Sequence, residues 1–319
     1  VVWDTNDEED TGFSRSGADI TISNAGRYLV SYSLPVKKGT GAGTDTRTEM
    51  TSRITLDGVE VEGTRVSSYL RGSEDSHDGV LNYIGIIDVA DGDVLNVEEI
   101  KTDGNETVVY QGGTIEIVQL PVEAKTFIRE ATTGDQNPAA LTEFAWDTTA
   151  QVDTDTFTIN SPTDAFTEVE VAGDYLFLWT LQSDDANLTR INPSAQVSVN
   201  DTLIDYGYSD RFSRNDGGSD NPGHSHGVFV PSMSVDDQVS VEVVAKSTVT
   251  TAAAVDHGAF SGLRLDSLFA GSEGITISGT LYENDGVTPL GADKTIVAGV
   301  GTSNPVPVSY THLTLPTTP

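Results

Sequence analysis

The 319 residues include 49 aspartates and glutamates against 17 lysines and arginines, a formal charge of −32 at neutral pH. A surface that negative repels phosphate backbones and anionic headgroups, which argues against nucleic acid and membrane surfaces as partners. The chain has no cysteine, which excludes disulfide scaffolds, thiolate metal sites and cysteine nucleophiles, and no apolar run reaches the ~18–20 residues of a membrane span.

The hydrophobic fraction of 37% is low, yet it is concentrated in short alternating runs, as in folded sandwiches rather than a disordered chain. The charge is tolerable where salt screens it: at about 0.5 M ionic strength the Debye length falls to roughly 4–5 Å. A saline exterior fits, and so does the cytosol of a salt-loving cell.

In chain order, "VVWDT" (1–5) leads into the acidic run "DTNDEED" (4–10). Asp4, Asn6 and Glu8 stand at alternate positions and offer the oxygen ligands a calcium ion takes, without the glycine and distal glutamate of a helix-loop-helix site. A charged linker is the plainer reading. "ITISNAGRYLVSY" comes next, with Tyr28, Val30 and Tyr32 predicted on one strand face and Leu29, Ser31 and Ser33 on the other. Ile54 and Leu56, then Asp57-Gly58, then Val59 and Val61, spell a hairpin, because both turn residues need positive φ. Val94, Leu95 and Val97 form a strand after the turn "ADGD", and "GGTIEIVQL" closes the segment.

Residues 122–143 connect this first module, residues 1–121, to the rest of the chain and have room for a short first strand. The same landmarks then return in order. "FAWDT" (144–148) answers "VVWDT", and "VEVAGDYLFLW" answers the tyrosine strand. "AQVSVNDTLIDYG", "SHGVFVPSMSVDDQVSVEVV" and "SGLRLDSLF" match the remaining strands, with Asn200-Asp201 as the weaker turn. The period is about 145 residues, the size of one domain. No window carries a sustained helical stripe, so the chain reads as all-β with a second module over 144–270.

From Gly274, "GITISGTLYENDGVTPLGADKTIVAGV" resembles the opening of immunoglobulin-like or carboxypeptidase-regulatory-like repeats of bacterial surface proteins. Residues 271–307 read as a truncated third β domain, too short for its own core. In the last segment, 308–319, "VSYTHLTLPT" back-translates to a string resembling a sequencing-library adaptor, so residues 308–319 and His312 receive no functional weight.

"GRYLVSY" (Gly26, Tyr28, Val30, Tyr32) and "GDYLFLW" (Gly173, Tyr175, Phe177, Trp179) resemble the glycine-x-tyrosine-x-phenylalanine-x-aromatic signature of the complement globular-head family. "AFSGLRL" (259–265) resembles that family's last strand, and "VADGDVLNV" its glycine-aspartate-valine strand. Val30 departs from the family phenylalanine, and the first copy has "QGGTIEI" in place of the phenylalanine-serine-glycine strand. The resemblance implies tandem jelly-roll β-sandwiches, shared with tumour-necrosis-factor-like proteins, which often trimerise and bind partners through loops. Independently, Tyr175, Phe177 and Trp179 share one strand face and Leu176 and Leu178 the other, so this strand needs cover on both sides. A partner subunit, the neighbouring module or a folded-back loop would supply it. The expectation is a homo-oligomer, a trimer, contacting through module 2.

Chemical motifs are sparse. "KKGTGAGTD" (37–45) opens no helix that would cradle phosphate, and "GAFSG" (258–262) lies in a strand with no helix after it. The carboxylates single out no acid/base pair. His224 and His226 lie two apart, able on a strand to chelate zinc or copper, or simply to sit on a solvated loop. Asn105, Asn187 and Asn200 head glycosylation-type triplets. Tyr206, Tyr208, Arg211, Phe212 and Arg214 offer stacking surface for a glycan or protein ligand within the loop region 210–226 and its flank. The reading is a non-enzymatic, secreted or cell-surface structural and adhesion protein with no cofactor unless calcium binds. A virion tail-fibre or capsid-decoration head, or accessory modules of a polysaccharide-degrading enzyme, are the alternatives.

Overall fold

The computed structural model describes residues 1–3, 12–38, 47–71, 78–103, 108–110, 112–131, 142–161, 165–184, 190–191, 193–210, 213–215, 220–221, 223–245, 254–269, 275–279 and 294–298. Apart from one 3-10 turn at Leu265–Phe269, the regular elements are strands, paired antiparallel throughout. The chain divides into two compact units, Val1–Leu268 and Phe269–Pro319.

The larger unit holds two sandwiches. In the first, one sheet contains β1 (Phe13–Ser16), β2 (Asp19–Ile22), β4 (Arg47–Leu56), β5 (Val59–Glu60), β6 (Val66–Arg71) and β8 (Val94–Asp103), in the order β1-β2-β8-β4-β5 with β6 also on β4. The facing sheet runs β10 (Thr114–Gln119), β3 (Gly26–Lys38), β7 (Asp78–Val89), with β9 (Val108–Tyr110) on β3.

In the second sandwich, β11 (Thr126–Ala131), β13 (Thr148–Val152), β16 (Gly173–Asp184), β22 (Gly223–Phe229) and β25 (Ala254–Arg264) make one sheet, ordered β13-β11-β25-β16-β22, with β23 (Ser232–Met233) pairing β16. Opposite it lie β12 (Thr142–Glu143), β14 (Phe157–Thr158), β15 (Phe166–Val169), β18 (Pro193–Val199), β19 (Thr202–Asp210) and β24 (Gln238–Ala245), ordered β14-β15-β24-β18-β19 with β12 on β24. β17 (Arg190–Ile191), β20 (Ser213–Asn215) and β21 (Asp220–Asn221) form a small ribbon. In each sandwich the chain crosses repeatedly between the two sheets instead of completing one before entering the other. In the smaller unit β26 (Ile275–Gly279) and β27 (Lys294–Ala298) pair as a hairpin. The segment 308–319 lies outside the described residues.

Period-two patterning decides which side chains enter each core. Tyr28, Val30 and Tyr32 are buried in the first, together with Ile54, Leu81, Leu95 and Val97. Tyr175, Phe177 and Trp179 are buried in the second among Phe127, Phe157 and Phe260. The second core is the more aromatic: Phe127 meets Phe157 edge-on at 4.9 Å, and Trp146 stacks on Phe260 at 5.6 Å between ring centroids. Each such side chain contributes roughly 1.5–3 kcal/mol by leaving water.

The two copies also share their fine hydrogen bonding. Tyr28 Oη donates to the Asn24 carbonyl at 2.7 Å, and Tyr175 Oη donates to that of Val171, also four residues upstream. Asp57 and Asn200 both have φ of 51° and begin matching turns; their side-chain oxygens accept from Val94 N at 3.0 Å and Gln238 N at 2.9 Å. At each turn one side-chain oxygen thus ties the hairpin to the start of the adjacent strand.

Candidate functional site

The outer face of β16 is covered from within the chain. Leu176 and Leu178 pack with Leu263 of β25 and Ile128 of β11 against Leu29, Ile84 and Ile86 of module 1. Leu120 and Ala124, from the segment joining the modules, fill the same cluster. Of the three covers open to the sequence, the structure uses the neighbouring module, so these leucines are not free for a partner subunit. Ile86, Leu178 and Leu263 are each no more than 3% exposed, so the seam is packed like a core and joins the two sandwiches into one unit.

The two modules contribute different parts of themselves. Strand pairing fixes the correspondence: Tyr32 faces Tyr83 and Val30 faces Gly85 in module 1, where Trp179 faces Gly227 and Phe177 faces Phe229 in module 2. Ile84 therefore corresponds to Val228, and Ile86 to Val230. Likewise Val118 faces Leu29 as Leu263 faces Leu176. Ile84 and Ile86 are in the seam but Val228 and Val230 stay 47% and 53% exposed; Leu263 is in the seam but Val118 is 55% exposed.

A polar rim surrounds the leucines. Arg27 of module 1 reaches Thr126 Oγ1 at 2.8 Å and pairs with Asp153 of module 2. Gly63, at φ 73°, lies against β25 so closely that a Cβ there would meet the Ala259 Cβ at 2.6 Å. Gln182 Nε2 donates to Ser67 Oγ at 3.3 Å across the seam. Glu130 lies in this rim, and burial together with the carboxylates of Glu62, Asp147 and Asp88 pushes its carboxyl up to about 7. His257 is shifted down by burial and by Arg65, with Glu60 and Asp147 opposing.

These shifts have opposite signs in stability. Glu130 has a raised folded value, so its contribution is fully present below 4.5 and is lost as pH rises through about 7. His257 has a lowered folded value, so its contribution is lost as pH falls below 6.5. Replacing Glu130 by Gln isolates the first effect. We expect Glu130→Gln to unfold several degrees above the natural chain at alkaline pH, with the gap closing as pH falls from about 7 to 4.5. A gap that stays constant across this range in melting curves would disprove the assignment.

The residues singled out from sequence fare unevenly. Asp4, Asn6 and Glu8, the calcium candidates, lie outside the described residues, as do Arg211, Phe212 and His312. Tyr206 and Tyr208 fall on β19 and Arg214 on β20, whose backbone pairs with Arg190 of β17. His224 and His226 are strand residues of β22, opposite Gln182 and Thr180 of β16, rather than loop residues. Among the described residues no three His, Asp or Glu side chains are grouped to hold a metal ion. Among them too, no helix is long and apolar enough to cross a membrane. Sequence reading passed over Ile84 and Ile86, which look like ordinary core positions of "NYIGIID", and it passed over β11 altogether as a functional element.

Fold and seam together define the class as an all-β chain with two β-sandwiches packed side by side. No family model matches the chain, and no curated protein matches it. Among solved structures, the globular domain of zebrafish complement 1qA protein is similar at 12% identity and a TM-score of 0.29, over 43% of this chain and 94% of that one.

Proposed function

We propose that this chain is a non-enzymatic structural and adhesion protein of the cell exterior, whose jelly rolls assemble by repeating the contact at the seam. The observation that carries this reading is the unequal use of the two modules. A contact made from different surfaces on its two sides leaves one of each unfilled, and such contacts propagate until a ring closes or a filament forms. Val228 and Val230 on module 2 and Val118 on module 1 are the unfilled halves. A third jelly roll seated between them completes a trimeric head of the kind the sequence resemblance implies, and module 2 offers one of its faces.

Ligand recognition in this reading belongs to module 2, where Tyr206 and Tyr208 stand at alternate positions of β19. A glycan or surface protein is the ligand class, since the strongly acidic surface disfavours polyanions. Sedimentation equilibrium tests the assembly. The natural chain is expected to associate with rising concentration, and the double variant Val228→Glu, Val230→Glu to remain monomeric. A natural chain that stays monomeric at high micromolar concentration removes the proposal.

A further inference from the structure

The seam changes character along its length. Beyond the leucine cluster, strand alternation puts Glu130 on the face of β11 that carries Ile128. Ala259 of β25 stands opposite Glu130. Gly63 of module 1 presses on that same alanine, where a Cβ would meet the Ala259 Cβ at 2.6 Å and the Gly258 carbonyl oxygen at 2.7 Å. Opposed strand residues have Cβ atoms only about 4.5–5.5 Å apart, so this contact delivers Glu62, the neighbour of Gly63, to Glu130. Asp147 joins them, its N donating to the Glu130 carbonyl at 3.2 Å.

The segment that carries Glu62 is fixed to module 1. Thr64 Oγ1 accepts from Ile54 N at 3.0 Å and donates to the Val61 carbonyl at 2.6 Å. Arg65 Nη2 donates to Glu60 Oε2 at 2.8 Å, and Arg53 Nη1 donates to the same oxygen at 2.6 Å. Both arginines are therefore engaged within module 1. Glu62 is raised by burial, Glu60 and Asp147, with Arg65 opposing. The remaining groups around Glu130 do not neutralise it. Asp88 of β7 is itself raised by burial, with Arg27 opposing, and the Tyr83 phenol is buried and raised. His257, two residues from Ala259 on β25, is shifted down, chiefly by burial.

We propose that this end of the seam is a proton-operated clasp. With a proton between Glu130 and Glu62, the sandwiches close over Gly63 and Ala259. Without it, two facing carboxylates tilt module 1 away about the leucine cluster, which stays packed. Glu130 gives the sign: its value is raised in the closed form, so closure is complete at low pH and is lost as pH rises through about 7. One proton lowers the closed-to-open ratio about tenfold per pH unit above that point. The motion lies within one chain and is independent of the proposed assembly.

The natural chain has no cysteine, so a pair of fluorophores can be placed at chosen sites of the full chain. Val59→Cys lies on β5, which leads into the Gly63 segment, and Ala150→Cys on β13, beside β11; both positions are exposed. Single-molecule energy transfer reads the two labels of one chain, so association between copies does not enter. Transfer efficiency is expected to fall as pH rises from about 6.5 to about 8.5, a window in which His257 is neutral. Glu130→Gln and Glu62→Gln are each expected to hold the closed value throughout. An efficiency that does not change with pH in the otherwise natural chain overturns the proposal. A fall that persists in both variants assigns the titration to another group and also overturns it. Circular dichroism over the same range separates tilting from unfolding: a loss of strand signal that tracks the fall in efficiency would again overturn the clasp.

Discussion

Leu178→Asp should separate the two sandwiches while leaving each folded. Leu178 is 1% exposed and lies in the cluster with Ile86, Ile128 and Leu263. The substitution removes a buried isobutyl group and places a carboxylate among apolar side chains, at a combined cost of about 3–5 kcal/mol. None of that cost falls on the module 2 core, because Leu178 points away from Phe177 and Trp179. Calorimetry of the natural chain should show residues 1–268 unfolding as one transition, and the variant should resolve two. Retained near-ultraviolet dichroism from Trp146 and Trp179 would report an intact second core. A variant that still unfolds in one transition would show that the modules are coupled by something other than this cluster.

The seam explains how far the sequence could be read. Strand faces were legible because the pattern has period two. Tyr175, Phe177 and Trp179 had to share a side, and a second apolar side demanded cover. The identity of that cover was not legible, since Ile84 and Ile86 alternate with Tyr83, Gly85 and Ile87 in a run apolar on both faces. Such a run gives no sign of which face meets the core. The turns were legible for a sharper reason: Asp57-Gly58 and Asn200-Asp201 require positive φ, and all four residues adopt it.

β11 was the harder element. In "TFIREA" the core-facing positions are Phe127, Arg129 and Ala131, and an arginine at the middle of that face breaks the apolar alternation by which strands are recognised. The segment consequently resembles part of a linker, although it supplies six residues to the sheet. For the ligand candidates, the residue types of Tyr206, Tyr208 and Arg214 indicate chemistry, but no repeat in module 1 marks them, and sequence pattern alone does not assemble them.

Arg129 gives the second large expected effect. It is fully buried on the core face of β11, and its Nη1 donates to the Phe166 carbonyl of β15 at 2.8 Å, with Thr167 Oγ1 at 3.4 Å. β11 and β15 belong to opposite sheets, so the guanidinium ties the sandwich together through its interior. Arg129→Ala leaves a cavity and removes the donor to a buried carbonyl, a loss of about 3–5 kcal/mol. Arg129→Met restores most of the volume but not the donor, so its loss should fall to about 1–3 kcal/mol. Denaturant unfolding followed by tryptophan fluorescence separates the two contributions, the methionine variant measuring the hydrogen bond and the difference between variants measuring the packing. Equal stability of the natural and alanine chains would mean that the guanidinium reaches water and bridges nothing.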